Sequence, residues 1–363
     1  HEPVADRLTW GRANWFPWWE AEHRACREGV IAMDMSFMGK FLVQGRDAGE
    51  FLNYLSANEV NAQDGMITYT QWLNEIGRLE ADLTVTRLDQ ENFMVVTSDV
   101  AHRHTETWMK RHISEGQQVS VTDVTSGYGQ LNIQGPRSRE LLQSISSADL
   151  SNEAFPFRTA REIDIGLGRV LCVRITYVGE LGYELNIPSE QAVHVYDRIV
   201  EAGEAFGLKH AGLKALSSLR LEKGYRDYGH DIDNMDDPYS TGLGFAVRLD
   251  KESDFIGKQA CIARKADPHY PHRLVQVLLQ DPEPLMIHSE VVLRNGQPVG
   301  EVRAASYGHT LGGSVALAMV AGDPVDAEYL AAGAWEVDIG GTRCPATVSL
   351  KPLYDPGMKR VRA

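Results

Sequence analysis

In GRDAGEFLNYLS (45–56), Phe51, Leu52 and Leu55 fall on one face, the spacing of an amphipathic helix. DLTVTRLDQENFMVVT (82–97) contains two β-rich runs around a polar turn and predicts a hairpin. A helix is expected next, with Val100, Trp108, Met109 and Ile113 as its buried face. In QGPRSRELLQSI (134–145) a Gly-Pro break precedes another helix, and Pro136 suits its start. REIDIG and RVLCVRITY read as paired strands. PSEQAVHVYDRIVEAGEAFG (188–207) predicts a helix capped by Ser189 and closed by Gly207. Its apolar stripe is Val193, Tyr196, Ile199, Val200 and Phe206. Gly203 lies on the same stripe and predicts an early stop. AGLKALSSLRLEKG (211–224) is a further helix that ends in Gly.

After about residue 270 the texture changes to short strands: RLVQVLLQ, EVVLRNGQPVGEVRA, SVALAMV and AWEVDIGGTRCPATVSL. Asn295-Gly296 and Gly340-Gly341 sit between strand pairs, the strongest short-range hairpin signal. The chain therefore predicts an α+β region over 1–268, with two subdomains, and an all-β barrel domain over 269–363. The boundary falls near PHYPHR (268–273).

The 363 residues leave room for two or three well-developed cores. A net charge of −14 with no basic run argues against nucleic acid, whose binding draws on Lys and Arg. No apolar stretch is long enough to span a bilayer. The opening HEPVADRLTWGRANWFPWW has no cationic segment leading into an apolar run, so no secretory signal is read there; it also lacks an initiator Met. Cys26, Cys172, Cys261 and Cys344 are far apart and show neither ligand spacing nor a disulfide framework. Cys172 reads as a small buried thiol, and a reducing setting, cytoplasmic or mitochondrial matrix, is expected.

No GxGxxG, phosphate loop, GxSxG elbow or HExxH pair is present, which argues against a self-contained nicotinamide or flavin oxidoreductase. YGHDIDNMDDPY (228–239) carries His230, Asp231, Asp233, Asp236 and Asp237, but without calcium-loop spacing; it reads as a solvated acidic loop, and no metal is expected. In NEIGRLEADLTVT, alternation sets Asp82, Thr84 and Thr86 on one strand face and Leu83 and Val85 on the other. Alone, Asp82 reads as a solvated carboxylate. RITYVGELGYELNIP reads as strand, tight turn and strand, bringing Tyr177, Glu180 and Glu184 close; turn chemistry and a site both fit. Arg220 and Glu222, between buried Leu219 and Leu221, read as structural ion-pair residues.

In order, MDMSFMGKFLVQGRDAGEFL, YTQWLNEIGRLEADLTVTRL, NIQGPRS, YVGELGYEL, LRLEKGYRDYGHDI, SYGHTLGGSVALAMV and KPLYDP resemble the glycine-cleavage T-protein superfamily over nearly the whole chain. YVGELG and LRLEKGYR are most similar to the folate-binding half of dimethylglycine and sarcosine dehydrogenases. The resemblance implies a multi-domain cloverleaf of the aminomethyltransferase type and a tetrahydrofolate-dependent one-carbon transferase or demethylase acting on a small methylated donor such as a methylamine. By position, Asp82 matches the essential carboxylate beside the reactive folate nitrogens, Tyr177 and Glu184 match the pair that holds the pterin, and Tyr69 matches a Tyr lining the same pocket. Ser98 takes a folate-site position where glycine-cleavage relatives carry Asn. Leu216 replaces an Arg, Ala81 the first of paired Asp residues, and Ser240 a common Glu. In the dehydrogenases a flavin domain makes the electrophile, so a flavoprotein partner is implied as one alternative. A non-catalytic folate-binding protein is the other, although the KGCYxGQE motif of one such branch reads KGYRDYGHD here.

Overall fold

The computed structural model describes residues 5–7, 9 and 11–363; His1–Val4, Leu8 and Trp10 lie outside them, and with them part of the opening segment read above for a targeting signal. Helix α1 (Phe16–Glu28) leads into β1 (Ile31–Asp34), β2 (Gly39–Gln44), α2 (Ala48–Leu55), β3 (Ile67–Leu73), β4 (Leu79–Arg87) and β5 (Asn92–Thr97). Next come α3 (His102–His112), β6 (Ser120–Asp123), β7 (Tyr128–Gln134), α4 (Ser138–Ile145), β8 (Ala160–Ile165), β9 (Gly168–Val173) and β10 (Gly182–Pro188). They are followed by α5 (Ala192–Gly203), β11 (Lys209–His210), α6 (Leu213–Glu222) and α7 (Lys258–Ala266). The last stretch holds β12 (His272–Leu279), β13 (Val291–Arg294), β14 (Gln297–Gly308), β15 (Gly313–Ala321), α8 (Ala327–Ala331), β16 (Trp335–Ile339) and β17 (Thr342–Ser349).

The strands form two open sheets, β11-β1-β7-β10-β9-β8 and β3-β4-β5-β2-β6, and a closed barrel, β12-β15-β14-β13-β16-β17. This is the α+β architecture with a C-terminal all-β barrel that the pattern predicts. Asn295 (φ 52°) and Gly296 (φ 76°) both take left-handed conformations between β13 and β14, as a two-residue turn matched to strand twist requires. In β4, Ala81, Leu83 and Val85 join a core with Phe41, Val43 and Trp72. Asp82 and Thr84 therefore turn to the opposite face, which retains some accessible surface. Because β1 and β2 are consecutive yet belong to different sheets, the turn between them passes from one sheet to the other.

Several local expectations change. Helix α5 begins at Ala192, after a short 3₁₀ turn, and the Ser189 hydroxyl donates to the Ser126 carbonyl instead of capping it. The helix stops at Gly203, and Gly207 (φ 69°) closes a further 3₁₀ turn. Its buried stripe is Val195, Ile199 and Gly203, whereas Val193 (73%) and Tyr196 (37%) are exposed. The helix lies across β7, β9 and β10 on that rotated face. Val195→Ala should accordingly cost about 2 kcal/mol in urea unfolding and Val193→Ala less than about 0.5. Equal costs would contradict this phase. Val100 is exposed and sits in the turn before α3, so it does not belong to the buried face. Pro136 precedes the Arg137 cap of α4, two residues upstream of the first helical position, its expected place. The acidic run 228–239 is only partly solvated: Asp231 and Asp236 are buried, paired with Arg220 (2.6 Å) and Arg303 (2.6 Å).

Candidate functional site

Asp82 on β4 pairs in register with Gln71 on β3, and the Gln71 amide donates to its Oδ1 at 2.8 Å. Two residues along the same face, Tyr69 stands opposite Thr84. Burial pushes the Asp82 carboxyl up to about 7; Tyr69 and Gln71 pull it back, and Asp227 and Asp231 push it up again. Burial and Asp82 together raise the Tyr69 phenol well above its usual range. The ring of Tyr69 stacks against Phe245 with centroids 6.2 Å apart. Ser98 follows β5, whose last registered pair with β4 is Leu83↔Thr97, so the same register sets Ser98 level with Asp82. Its hydroxyl is buried without a partner.

Tyr177 lies in the loop 174–181 between β9 and β10, a wider connection than the tight turn expected. Its hydroxyl donates to the Arg226 carbonyl at 2.6 Å, and its ring stacks nearly parallel (10°) on Tyr225. Burial raises its phenol well above the usual range, with Asp227, Asp231 and Asp82 adding to the rise and Arg220 opposing it. The structure thus brings Tyr69, Asp82, Tyr177 and the segment Tyr225–Asp227 close enough to act on one another. Each of these residues is packed round by protein yet keeps some accessible surface. Arg226 donates from Nε to the Thr241 carbonyl at 2.8 Å.

Glu184 belongs to the other sheet, on β10. It accepts from Asn132 Nδ2 (3.3 Å) and Gln130 Nε2 (3.4 Å), both on β7, and shares no partner with Asp82. Burial lifts its carboxyl to about 7 against the pull of Asn132 and Lys40. Glu180 leaves this group altogether: it pairs with Arg27 (3.1 Å) and Arg360 (2.9 Å). Arg220 and Glu222 are indeed ion-pair residues, with separate partners: Asp231 for Arg220, and Arg27 with His23 for Glu222. Two surface clefts, of about 410 and 750 Å³, lie elsewhere and are lined by none of the five residues singled out as catalytic or folate-binding.

Sequence reasoning missed Lys40, Gln71, Tyr225 and Arg226. Lys40 carries a usable signal, since in GKFLVQ it alternates with Phe41 and Val43, opposite the core face. Gln71 and the Tyr225–Arg226 pair carry none, because their places depend on strand register and on the loop after α6.

The Asp82 and Glu184 carboxyls, raised to about 7, and the unpaired polar atoms near them leave hydrogen-bonding capacity to spare. Besides Ser98, the side-chain oxygens of Gln71 and Gln130 are buried without partners. Among the described residues no group of three or more His, Cys, Asp or Glu is placed to hold a metal, and no helix is long and apolar enough to cross a membrane.

Residues 4–251 match the GCVT N-terminal domain and residues 272–355 the glycine cleavage T-protein C-terminal barrel domain. A 4-methylaminobutanoate oxidase (formaldehyde-forming) of Paenarthrobacter nicotinovorans is 43% identical over 355 residues, covering 98% of this chain and 42% of that protein. The mitochondrial sarcosine dehydrogenase of Homo sapiens is 34% identical, covering 93% and 38%. The chain thus spans about two fifths of the length of these relatives. A probable aminomethyltransferase of Thermococcus gammatolerans is 32% identical over 384 residues, covering 97% of this chain and 94% of that one. The glycine cleavage system aminomethyltransferase T of Bartonella henselae shares the fold, with a TM-score of 0.82 at 23% identity over 97% of this chain and 94% of that one.

Proposed function

This chain belongs to the glycine cleavage T-protein family, and from that premise we propose that it is a tetrahydrofolate-dependent transferase that takes a one-carbon unit, methyl or aminomethyl, from a small methylated donor. The observation that carries the reading is Asp82: a carboxylate held near neutrality beside Tyr69, Gln71 and Tyr177, with a second such carboxylate, Glu184, on the neighbouring sheet. The buried, unpartnered Ser98, Gln71 and Gln130 oxygens suit a polar ligand there.

Tetrahydrofolate, when bound, supplies the nucleophilic nitrogen that accepts the one-carbon unit. Glu184 would hold the pterin, since a carboxylate accepts paired hydrogen bonds from an aminopyrimidine edge. Tyr177, Tyr69 and Ser98 would line the same site. Asp82 stabilises positive charge at the reacting centre as an anion, or accepts the proton released there. A group that titrates near 7 can do either at physiological pH. Holding both reactants between the two sheets lowers the barrier further. The name of the Paenarthrobacter relative supports a methylamine as donor. We divide the chain into a folate-binding region, 1–268, and a barrel domain, 269–363.

The short span relative to the oxidase and dehydrogenase relatives favours a second form of the same reading. In it the chain is the folate half of a longer protein or complex, and a flavoprotein delivers the oxidised one-carbon unit. Incubation with tetrahydrofolate and a panel of methylated amines, sulfonium compounds and aryl ethers separates the two. Methyl- or methylenetetrahydrofolate formed from a donor alone supports a stand-alone transferase. Product that appears only when a flavoprotein amine oxidase is added supports the second form. No product under either condition contradicts the proposal.

A further inference from the structure

Lys40 is fully buried, on the face of β2 opposite the core residues Phe41 and Val43. Its ammonium donates to the carbonyls of Ser36 (3.2 Å) and Met38 (2.9 Å), both in the turn that carries the chain from one sheet to the other. That turn is tied to β7: the Gln130 amide N–H donates to Ser36 Oγ at 3.0 Å, and the Met35 N–H donates to the Gln130 carbonyl at 2.8 Å. Gln130 and Asn132 of β7 in turn hold the Glu184 carboxylate. The ammonium is thus fixed, through one turn and one strand, in a set position relative to Glu184.

The electrostatics agree with this geometry. Glu184 faces the neutral Gln130 and Asn132 on β7 and the apolar Val173 on β9, so Lys40 is the charged group acting on it among the described residues. Lys40 feels Glu184 first and then Asp34, at the exposed end of β1. Burial draws the Lys40 ammonium down to about 8, and Glu184 counters that fall. A buried cation opposite a buried carboxylate favours the charged form of each. At a distance beyond direct contact it does so without competing for the hydrogen bonds the carboxylate must offer a ligand.

We propose that Lys40 is a positioning residue whose ammonium, held by the β1–β2 turn, favours the ionised form of Glu184 and so lowers the pH above which the site grips the aminopyrimidine edge of a pterin. This rests on the folate reading of the site. The edge donates two hydrogen bonds and needs the carboxylate as acceptor. Protonation of Glu184 puts a donor against a donor and weakens the grip. Lys40 acts through Glu184 and makes no contact with the ligand.

The test is the dissociation constant of 5-formyltetrahydrofolate, a stable probe, from about pH 6 to about pH 9. In the unaltered chain affinity should fall about tenfold per unit below about pH 7. Lys40→Met should weaken binding about threefold to tenfold at pH 7, change it little at pH 9, and move the break upward. Lys40→Arg should restore the profile, and in a Glu184→Gln background Lys40→Met should leave the profile unchanged. Lys40→Gln serves as the neutral variant if the Met form does not fold. A uniform loss at every pH, or an unshifted break, overturns the proposal while the folate reading stands. Failure of the unaltered chain to bind the probe at any pH overturns both.

Discussion

Asp82→Asn should lower turnover by at least about a hundredfold, the usual scale for a placed acid–base group, while folate binding persists. The same substitution should make the unliganded protein more stable at pH 8. Burial raises the Asp82 carboxyl to about 7, so the folded chain holds this proton more tightly than the unfolded chain does. The associated stability is complete below the ordinary carboxylate range, near 3.8, and is lost as pH rises through about 7. Above that, the native state carries a poorly solvated anion. Asn removes it while retaining the means to pair with Gln71. A gain of about 2 kcal/mol at pH 8, shrinking to nothing near pH 4, is expected in urea unfolding. A carboxylate serving the fold alone would show the opposite pattern, with stability lost and turnover kept. Near-normal turnover in the Asn variant would remove Asp82 from the chemistry.

Glu222→Ala should destabilise the chain by about 3 to 5 kcal/mol, because it strands a buried cation. Glu222 Oε2 receives Arg27 Nη2 at 2.9 Å, and Oε1 receives the backbone N–H groups of Thr310 and Leu311 at 2.7 and 3.0 Å. One side chain at the end of α6 therefore joins α1 to the β14–β15 connection of the barrel. Burial alone would raise its carboxyl, but His23 and Arg27 outweigh burial and hold it at about 2. The sign is the reverse of that for Asp82: this contribution is present above about 4.5 and is lost as pH falls toward 2. Since Glu222 lies in a structural pairing with Arg27 and His23, apart from Asp82 and Glu184, folate affinity in the fraction that remains folded should be unchanged. A loss under about 1 kcal/mol in denaturant unfolding would show that the cluster does not tie these elements together.

Legibility in the sequence followed the physics of each signal. The barrel hairpins could be read because left-handed two-residue turns demand Asn-Gly or Gly-Gly, a local constraint. The turning of Asp82 away from Leu83 and Val85 followed from strand alternation alone. Helix α5 has Ile199 and Gly203 on its buried face as the spacing predicts, but Val195 stands there in place of Val193 and Tyr196, because only the sheet beneath decides how far the covered face turns at the helix start. Acidity misled at Asp231 and Asp236, whose Arg partners arrive from α6 and the barrel. At the site itself, residue types alone leave Asp82 a solvated carboxylate and Tyr177 and Glu184 open between turn and site; the family resemblance singles them out, and their environment does not show. Gln71 and Arg226 enter through register and loop path, which no spacing rule encodes, whereas alternation with Phe41 and Val43 could have marked Lys40.

The most direct measurement is a crystal structure of the chain with 5-formyltetrahydrofolate. The aminopyrimidine edge should be hydrogen-bonded to Glu184 and the reduced-ring nitrogens turned toward Asp82, beside Tyr69 and Tyr177. Folate seated in one of the two surface clefts instead, with both carboxylates untouched, would contradict this assignment.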